Sequence, residues 1–431
     1  MATLLALVAG VDGTASAVSD ATHGPAEPND ELFRAQWHLR ATGIPRAWEV
    51  STGEGAVVAV LDTGVAFEDH GPYRKAPDLA GTRFVPGYDF VDNDSHPNDV
   101  PVKGTGSHGT HVAGTIAQST NNVIGTAGVA PGAAIMPVRV LAPDGSGTSQ
   151  AIALGLRFAA DHAAHVALLA LGATVDAPDV AEAVAYAIAK GVTVVVSSGE
   201  DGTSQLTFPA AYPDVLAVGA VRYDNTRAPY SNHGAALDVV APGGDLEVDQ
   251  NADGLDDGVV QQTLFGEPAA FSFCYCFKEG TSSAAAHVAG VAALVIAAGR
   301  AKTPAQVRDT IVSTAADLGP PGRDDEYGAG LVQATRALGM PPGAGEVPPT
   351  TGSARHTHDH DGVSAPEESD AIPPTSEPAF ALPTADEDVS TRLRRRWAGA
   401  AVIGGLALAG LAGYFTSRRR RRKGDGSQQS S

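Results

Sequence analysis

Three side chains of the types that nucleophilic catalysis requires occur far apart in the chain: the carboxylate of Asp62, the imidazole of His108 and the hydroxyl of Ser282. Such catalysis needs a hydroxyl that attacks, a base that takes its proton and a carboxylate that orients the base. Singly, each residue has an ordinary explanation, because Asp-Thr-Gly is a common turn, a histidine can lie on the surface and a serine can cap a helix. Jointly, the three predict a catalytic triad in the order Asp, His, Ser.

The local sequence predicts where each of these side chains lies. Asp62 closes the apolar run "VVAVLD", which is typical of a buried strand, so its carboxylate is expected at a strand end. His108 in "GSHGTHVAG" comes just before a helical pattern. Ser282 falls in the first turn of a long Ala/Val-rich helix that Gly280 and Thr281 open, where a backbone N–H can face an anion.

Between residues 28 and 339 the chain alternates short apolar segments with Ala-rich segments of helix length. The apolar segments are "AVVAVLD", "AAIMPVRVL", "VALLALG", "VTVVVSS", "VLAVGAV" and "LDVVAP". This alternation predicts an α/β fold with a parallel central sheet and helices on both faces. Active sites in such sheets form at the carboxyl ends of the strands, which is the region to which the three candidate residues belong.

Three motifs carry a resemblance to the subtilisin-like serine proteases, or subtilases. They are "VAVLDTG", "HGTHVAG" and "GTSSAAAHVAG", with separations of 46 and 174 residues between the candidate triad residues, and subtilisin has the same triad order. The resemblance spans residues 28–339, and "PNDELFRAQWHL" is similar to the mature N-terminus of the thermitase-like branch. It implies that Asp62 orients the base, that His108 rather than His111 is the base, and that Ser282 attacks the scissile carbonyl.

One departure from the family pattern concerns the oxyanion. In "VVVSSGEDG" Glu200 stands where subtilases have an asparagine whose amide helps to bind the oxyanion. A carboxylate there would repel the developing charge, whereas a neutral carboxyl group could donate a hydrogen bond. Burial beside other acids such as Asp201 is expected to raise the pKa of Glu200 and favour that neutral form. The alternative is an acid that faces outward from a surface turn.

Two milder departures lie in the segments that flank the reaction. The family's substrate-binding strand usually reads Ser-Leu-Gly, and this chain has Ala170-Leu171-Gly172. Ala170 lacks the hydroxyl of the family's serine, but the backbone that pairs with a peptide substrate is unchanged. The nucleophile motif usually continues Ser-Met-Ala-x-Pro, and here it continues "SSAAA" from Ser282.

Calcium is the cofactor that the resemblance implies, and three oxygen-rich segments suit a hard cation. The first candidate site comprises Asp30, Asp78 and Asn122 with the backbone carbonyls of Ser119, Ile124 and Thr126; the second comprises Asp89, Asp92, Asp94 and Asn98; the third and weakest comprises Asp249, Asn251 and Asp253. The third lies in "DQNADGLDDG", which resembles the start of an EF-hand loop without its full signature. An acidic solvated loop is the alternative there.

Composition narrows the class of protein further. The chain has 431 residues, 43% of them hydrophobic, which is enough for a sizeable core. The formal net charge is −20, but residues 392–431 hold ten Lys or Arg and one acid, so residues 1–391 carry 19 bases and 48 acids, a net charge of −29. This excess of acidic residues in 1–391 argues against a nucleic acid partner and suits an exported protein.

Cysteine usage adds little to the assignment of a compartment. Cys274 and Cys276 are the only two cysteines, with one residue between them. A bridge across a single intervening residue is expected to be strained, so we interpret both as small buried hydrophobic residues.

Both ends of the chain indicate export and a membrane anchor. Residues 1–17 have the apolar core and small residues of a signal peptide but no basic n-region, so a truncated start or an apolar tail is the alternative. Residues 397–416 predict one transmembrane helix, and the tail 417–431, with "RRRRRK", is predicted to stay in the cytoplasm. Residues 340–391 predict a disordered Pro-rich and acidic linker. The helix and tail also resemble a sorting signal that is cleaved after export.

The sequence therefore predicts an exported, membrane-tethered serine endopeptidase that acts on polypeptides as a monomer. Its catalytic domain is expected outside the cell membrane, in a bacterial cell envelope, or released if the tail is cleaved. The alternative is a catalytically weak or inactive subtilase that serves as a binding or processing module. The intact triad favours the enzyme, and Glu200 favours the alternative. A calcium-dependent adhesion protein on the same fold would leave the agreement of three motifs unexplained.

Overall fold

The structure is a computed structural model that describes residues 27–101, 107–267 and 270–341, and the backbone of 379–381. The predicted signal peptide (1–17), transmembrane helix (397–416) and basic tail (417–431) lie outside these residues. Within the described ranges, no helix is both long enough and apolar enough to cross a membrane.

The predicted parallel sheet is confirmed. The strands are β1 (Val57–Asp62), β2 (Arg83–Phe84), β3 (Tyr88–Asp89), β4 (Ala134–Arg139), β5 (Ser146–Thr148), β6 (Val166–Leu169), β7 (Thr193–Ser197), β8 (Leu216–Val221), β9 (Val239–Pro242), β10 (Val259–Glu267), β11 (Ala270–Lys278) and β12 (Ala379–Ala381). The central sheet has the order β2-β4-β1-β6-β7-β8-β9, and β3 also pairs with β4. All of its pairings are parallel. The six predicted apolar segments form β1, β4 and β6 to β9.

Helices cover both faces of this sheet, as the alternating pattern predicts. They are α1 (Trp37–Ala41), α2 (Ile44–Ala47), α3 (Gly109–Ala117), α4 (Ser149–Asp161), α5 (Pro178–Ala189), α6 (Thr281–Ala297), α7 (Pro304–Thr314) and α8 (Ala334–Ala337). Successive residues of a strand point to opposite faces. Val58 and Val60 of β1 accordingly join the core formed by α3 and α6, and Ala59 and Leu61 join the core formed by α4 and α5.

The expectation that the two cysteines are unpaired is wrong. Cys274 and Cys276 form a disulfide in β11, which pairs antiparallel with β10 as a hairpin. Because they lie two residues apart in a strand, both side chains are on the same face. Their Cα atoms are 5.5 Å apart, within the span of an ordinary disulfide. The sequence expectation failed because it did not place these residues in an extended strand.

Candidate active site

The three candidate residues lie where the local sequence placed them. Asp62 is the last residue of β1, His108 is the N-cap residue of α3, and Ser282 is in the first turn of α6. The neighbouring strands β1 and β6 run parallel, so their carboxyl ends meet at one edge of the sheet. Helix α6 packs against both strands and against α3. The fold thus brings three distant segments of the chain to one edge.

Asp62 and His108 form a directly bonded pair. The Nδ1 atom of His108 lies 2.9 Å from Oδ1 and 2.8 Å from Oδ2 of Asp62. Asp62 is fully buried, whereas His108 is partly accessible. Because a carboxylate only accepts, Nδ1 carries the proton in this bond, and Nε2 of the neutral ring is left able to accept one. This is the arrangement that a general base requires.

Ser282 bonds to a neighbouring strand end in this structure. Its Oγ donates to the carbonyl of Ala170, at 3.2 Å, directly after β6 ends. The predicted nucleophile therefore contacts the predicted substrate-binding strand Ala170-Leu171-Gly172. Catalytic hydrogen bonds are often unformed without substrate and form in the complex. A rotation about the Cα–Cβ bond redirects the hydroxyl without movement of α6.

A buried carboxylate that the sequence analysis missed fixes the segments around the Asp-His pair. Asp99 accepts from the hydroxyl of Thr63 at 2.9 Å and from the backbone N–H and hydroxyl of Thr110 at 2.9 and 2.6 Å. The Thr63 hydroxyl in turn accepts from the N–H of Gly109, at 3.0 Å. This network ties the residue after Asp62 to the residues after His108. No motif in the sequence around Asp99 indicated it.

Lys278 is a second residue that the sequence analysis missed. Its Nζ donates to the carbonyl of Ser107, at 3.1 Å, the residue before His108. Burial lowers the pKa of Lys278 to about 8, and the opposing attraction of Asp99 and Asp62 limits the fall. The Lys278 ammonium group therefore lies beside the residue that precedes His108. Its position four residues before Ser282 was the one available signal.

Glu200 reaches the start of the helix that carries the nucleophile. Its Oε1 accepts from the backbone N–H of Thr281, at 2.8 Å, and from the Thr281 hydroxyl, at 3.3 Å. Burial raises the pKa of Glu200 to about 7, opposed by the charge of His108 and by the Thr281 bonds, while Glu279 adds to the rise. The carboxyl group therefore does not face outward from a surface turn. Near neutral pH both of its protonation states are populated.

The residues of the first candidate calcium site converge. The backbone N–H of Asn122 donates to Asp30 at 3.4 Å, and its side-chain amide donates to Asp78 at 2.6 Å. The N–H of Thr126 donates to Asp78 at 3.1 Å, and that of Ser119 donates to the Asp78 carbonyl at 3.1 Å. The N–H of Ile124 donates to the side-chain oxygen of Asn122 at 3.1 Å. These contacts bring together two carboxylates and one amide, which are oxygen ligands of the kind that calcium takes.

The second candidate site does not fit a calcium ion. Asp89 and Asp92 both bond to one guanidinium nitrogen of Arg139, at 2.7 and 2.5 Å. Asn98 donates instead to Glu68 at 2.7 Å, and Asp94 accepts from the backbone N–H of His96 at 2.8 Å. The buried guanidinium of Arg139 already bonds to the Asp89 and Asp92 carboxylates, so this arrangement does not support the calcium prediction at this site, which stays a prediction.

The third candidate site gains a residue that the sequence analysis left out. Asp249, Asn251 and Asp253 accept hydrogen bonds from backbone N–H groups of their own loop. Asp257 is buried, and its Oδ1 has no hydrogen-bond partner within the described residues. Burial raises the pKa of Asp257, and the charges of Asp249 and Asp253 raise it further. No three acids, histidines or cysteines of the described chain are already arranged as a metal site.

A parallel α/β sheet that presents a buried carboxylate, an oriented imidazole and a helix-borne serine at one edge defines a serine peptidase. Comparisons with known proteins give its family. A model of the Subtilase family matches residues 53–330. The chain is 38% identical to Thermitase from Thermoactinomyces vulgaris over 312 residues, which are 72% of this chain and 99% of the relative. It is 40% identical to Subtilisin BL from Lederbergia lenta, over 70% of this chain and 97% of that protein.

Solved structures agree with this assignment. A protease from Pseudoalteromonas arctica PAMC 21717 has a TM-score of 0.63 and 34% sequence identity, with 73% of this chain and 99% of that chain covered. The protein therefore belongs to the subtilase family of serine peptidases.

Proposed function

We propose that this serine peptidase is an endopeptidase in which Ser282 attacks the scissile carbonyl and forms an acyl-enzyme. The observation that carries the proposal is the bonded pair of Asp62 and His108 Nδ1, which leaves Nε2 as the base. His108 takes the Ser282 proton and later gives it to the leaving amine, while Asp62 stabilises the imidazolium. The helix start at Ser282 adds oriented backbone N–H groups for the oxyanion.

We further propose that Glu200 acts as a neutral donor at the oxyanion position. Its Oε1 is engaged by Thr281, so Oε2 is the oxygen that carries the proton. A pKa of about 7 supports this role, because the neutral form is then populated near neutral pH. An ionised Glu200 places a negative charge beside the developing oxyanion and opposes the reaction.

The alternative, a catalytically weak or inactive subtilase that binds peptides, has one observation in its favour. Ser282 Oγ donates to Ala170 rather than to His108. If that bond persists with substrate, His108 cannot activate the hydroxyl and the chain binds peptides without cleaving them.

A fluorophosphonate label separates these two functions, because it reacts only with an activated serine. We expect wild-type protein to be labelled at Ser282 and the Ser282→Ala variant to be unlabelled. The neighbouring Ser283 provides a matched control, since Ser283→Ala removes a buried hydroxyl from the same turn and leaves the nucleophile. Labelling of Ser282→Ala at the wild-type rate would exclude the mechanism. Absence of labelling in all three proteins between pH 5 and 9 would favour the binding module.

We propose calcium as a structural cofactor at two of the three candidate sites. Asp30, Asp78 and Asn122 would hold it at the first, with carbonyls of Ser119, Ile124 and Thr126. Asp249, Asn251 and Asp253 would hold it at the third, where the unpartnered oxygen of Asp257 supports a cation. A bound ion would supply positive charge that offsets these carboxylates and would take no part in the proposed chemistry.

We propose that the protein is exported and held in the membrane by residues 397–416. The disulfide between Cys274 and Cys276 supports an oxidising compartment. Fractionation of cells that express the full chain is expected to place it in the membrane fraction, with the catalytic domain accessible to added protease from outside. A variant that ends before residue 392 is expected in the medium. Recovery of both proteins in the cytosol would contradict the proposal.

A further inference from the structure

Strand β5 lies beside the catalytic aspartate. The backbone N–H groups of Val140 and Leu141 both donate to the carbonyl of Asp62, at 2.9 and 3.2 Å. Leu141 forms an antiparallel bridge with Gly147, the central residue of β5. Leu141 therefore connects β5 with the end of β1, so a segment that binds along β5 lies near the end of the strand that carries Asp62.

One edge of β5 is used by its own hairpin, and the other edge is open for pairing. The carbonyl of Ser146 accepts from the N–H of Ala142, at 2.7 Å, on the hairpin side. Backbone polar groups alternate in direction along a strand, so the N–H and carbonyl of Gly147 point to the opposite edge. A side chain at position 147 is disfavoured, because a Cβ atom there would lie 2.9 Å from the Val140 carbonyl oxygen and 2.5 Å from the Leu141 side chain. Ser146 and Thr148 are exposed on either side of it.

The partner on this open edge is a segment of the same chain. Residues 379–381 form β12, which pairs antiparallel with β5 in the register Ala379↔Thr148, Phe380↔Gly147 and Ala381↔Ser146. The central pair, Phe380 with Gly147, is the one that uses the outward-facing groups of Gly147. About 37 residues separate β12 from Pro341, and an extended chain of that length spans on the order of 120 Å. The linker length therefore permits this pairing within one molecule.

We propose that residues 379–381 compete in cis with peptide substrates for the outer edge of β5. Addition of an extended segment to a free strand edge is a general mode of peptide recognition, in which backbone hydrogen bonds supply the affinity. Because the segment belongs to the same chain, its effective concentration at this edge is on the order of millimolar. Pairing over three residues is short, so substrate can displace it, and the segment reduces apparent substrate affinity without blocking turnover. This inference rests on the proposed peptidase function.

The variant that tests this inference is Phe380→Pro in the full-length chain, because proline removes the N–H that pairs with Gly147. The matched control is Ala371→Pro, which places a proline in the same linker outside β12. With a peptide substrate, we expect KM to fall several-fold in Phe380→Pro at unchanged kcat, and to stay at the wild-type value in Ala371→Pro. A synthetic peptide of residues 374–386 is expected to restore the higher KM in trans. Equal KM values in all three proteins would overturn the proposal.

A second measurement does not depend on catalysis. In a Ser282→Ala background, we expect the Gly147 amide to exchange its hydrogen faster in Phe380→Pro than in the chain with Phe380. Faster exchange in Phe380→Pro would support the pairing whatever the activity. If, in addition, no protein that retains Ser282 turned over the peptide, the peptidase function would be refuted and the pairing would stand. Equal exchange would refute the pairing. Cleavage of the wild-type chain between residues 379 and 386 would overturn the competitive role, since the segment would then be a substrate.

Discussion

At the scale of single residues, the proposed oxyanion role of Glu200 predicts how the activity of this peptidase depends on pH. Its carboxyl group lies against Thr281, one residue before the nucleophile, and its pKa is raised to about 7, mainly by burial. In the proposed role, the neutral form of Glu200 donates a hydrogen bond to the oxyanion and the ionised form repels it. Since the neutral fraction falls as pH rises through about 7, activity is expected to fall on the alkaline side of neutrality.

The Glu200→Gln variant tests this role, because an amide of the same length donates at every pH. We expect its activity to exceed that of wild type at pH 8 to 9 and its alkaline decline to disappear. In subtilisin, a relative, removal of one oxyanion donor lowers turnover on the order of 10²–10³-fold, so the gain is expected to be a sizeable part of that factor. The measurement is kcat/KM from pH 5 to 10.

The control for this prediction is Asp201→Asn, which neutralises the adjacent acid. Asp201 is exposed, and its backbone N–H, rather than its carboxylate, bonds to Asn232. Its pH profile is expected to match that of wild type. An unchanged profile in Glu200→Gln would show that Glu200 lies outside the oxyanion site.

At the scale of secondary-structure elements, two buried histidines join α1 to α6 below the active site. Nδ1 of His38 lies 2.7 Å from Nε2 of His287, and Nδ1 of His287 lies 2.7 Å from the carbonyl of Ser283. A carbonyl only accepts, so His287 donates from Nδ1 and accepts at Nε2 from His38. Burial lowers the pKa of His287 to about 4 and lowers that of His38 well below its usual range. Both rings are therefore neutral in the folded protein.

This pair predicts acid-sensitive stability. The unfolded chain binds protons on these rings below a pH of about 6.5, whereas the folded chain resists protonation down to a pH of about 4 for His287. Stability is therefore complete above pH 6.5 and is lost as pH falls towards 4, by about 3 kcal/mol for His287 alone. In His287→Gln we expect lower stability at pH 8 and a smaller loss between pH 8 and 5. Urea unfolding at several pH values measures both effects. If the free energy of unfolding of His287→Gln changed with pH as much as that of wild type, His287 would not be the source of the acid sensitivity.

At the scale of the whole molecule, the first candidate calcium site connects segments that are distant in the chain. Asp30 lies near the start of the described residues, Asp78 follows β1, and Asn122 lies in the loop after α3. Gly125 in that loop has φ of +58°, and a Cβ there would lie 2.2 Å from an Asp78 carboxylate oxygen. The loop is thus held close to the carboxylates. An ion bound there, as proposed, would stabilise the assembly of all three segments.

Calcium removal is therefore expected to destabilise the folded chain. Binding to the native state alone contributes about 4 kcal/mol when free calcium is 1,000 times the Kd, so EDTA is expected to lower the Tm by several degrees. Asp78→Asn is expected to reduce this difference. Asp92→Asn is the matched control, since Asp92 bonds to Arg139 and its variant is expected to keep the full difference. An EDTA-independent Tm in wild type would exclude structural calcium.

Sequence alone was sufficient for the sheet and for the elements on which the candidate triad residues lie. The six strand segments are continuous apolar runs because both faces of a parallel sheet are buried. Such runs can be recognised in the amino-acid sequence. Asp62, His108 and Ser282 each stand beside a local signal, namely a strand end, a helix start and a first helical turn. Their elements could be predicted because those signals lie within about ten residues of each side chain.

Tertiary structure decided which partner each polar group meets. Arg139 is 50 residues from Asp89, Thr281 is 81 residues from Glu200, and Asp99 is 36 residues from Thr63. No local pattern encodes such pairs, because they depend on which segments pack together and at what register. Two carboxylates that predicted calcium therefore bond to a guanidinium, and the carboxyl group of Glu200 bonds to the helix that carries Ser282. The pKa of such an acid depends on burial, which exists only once distant segments have excluded water.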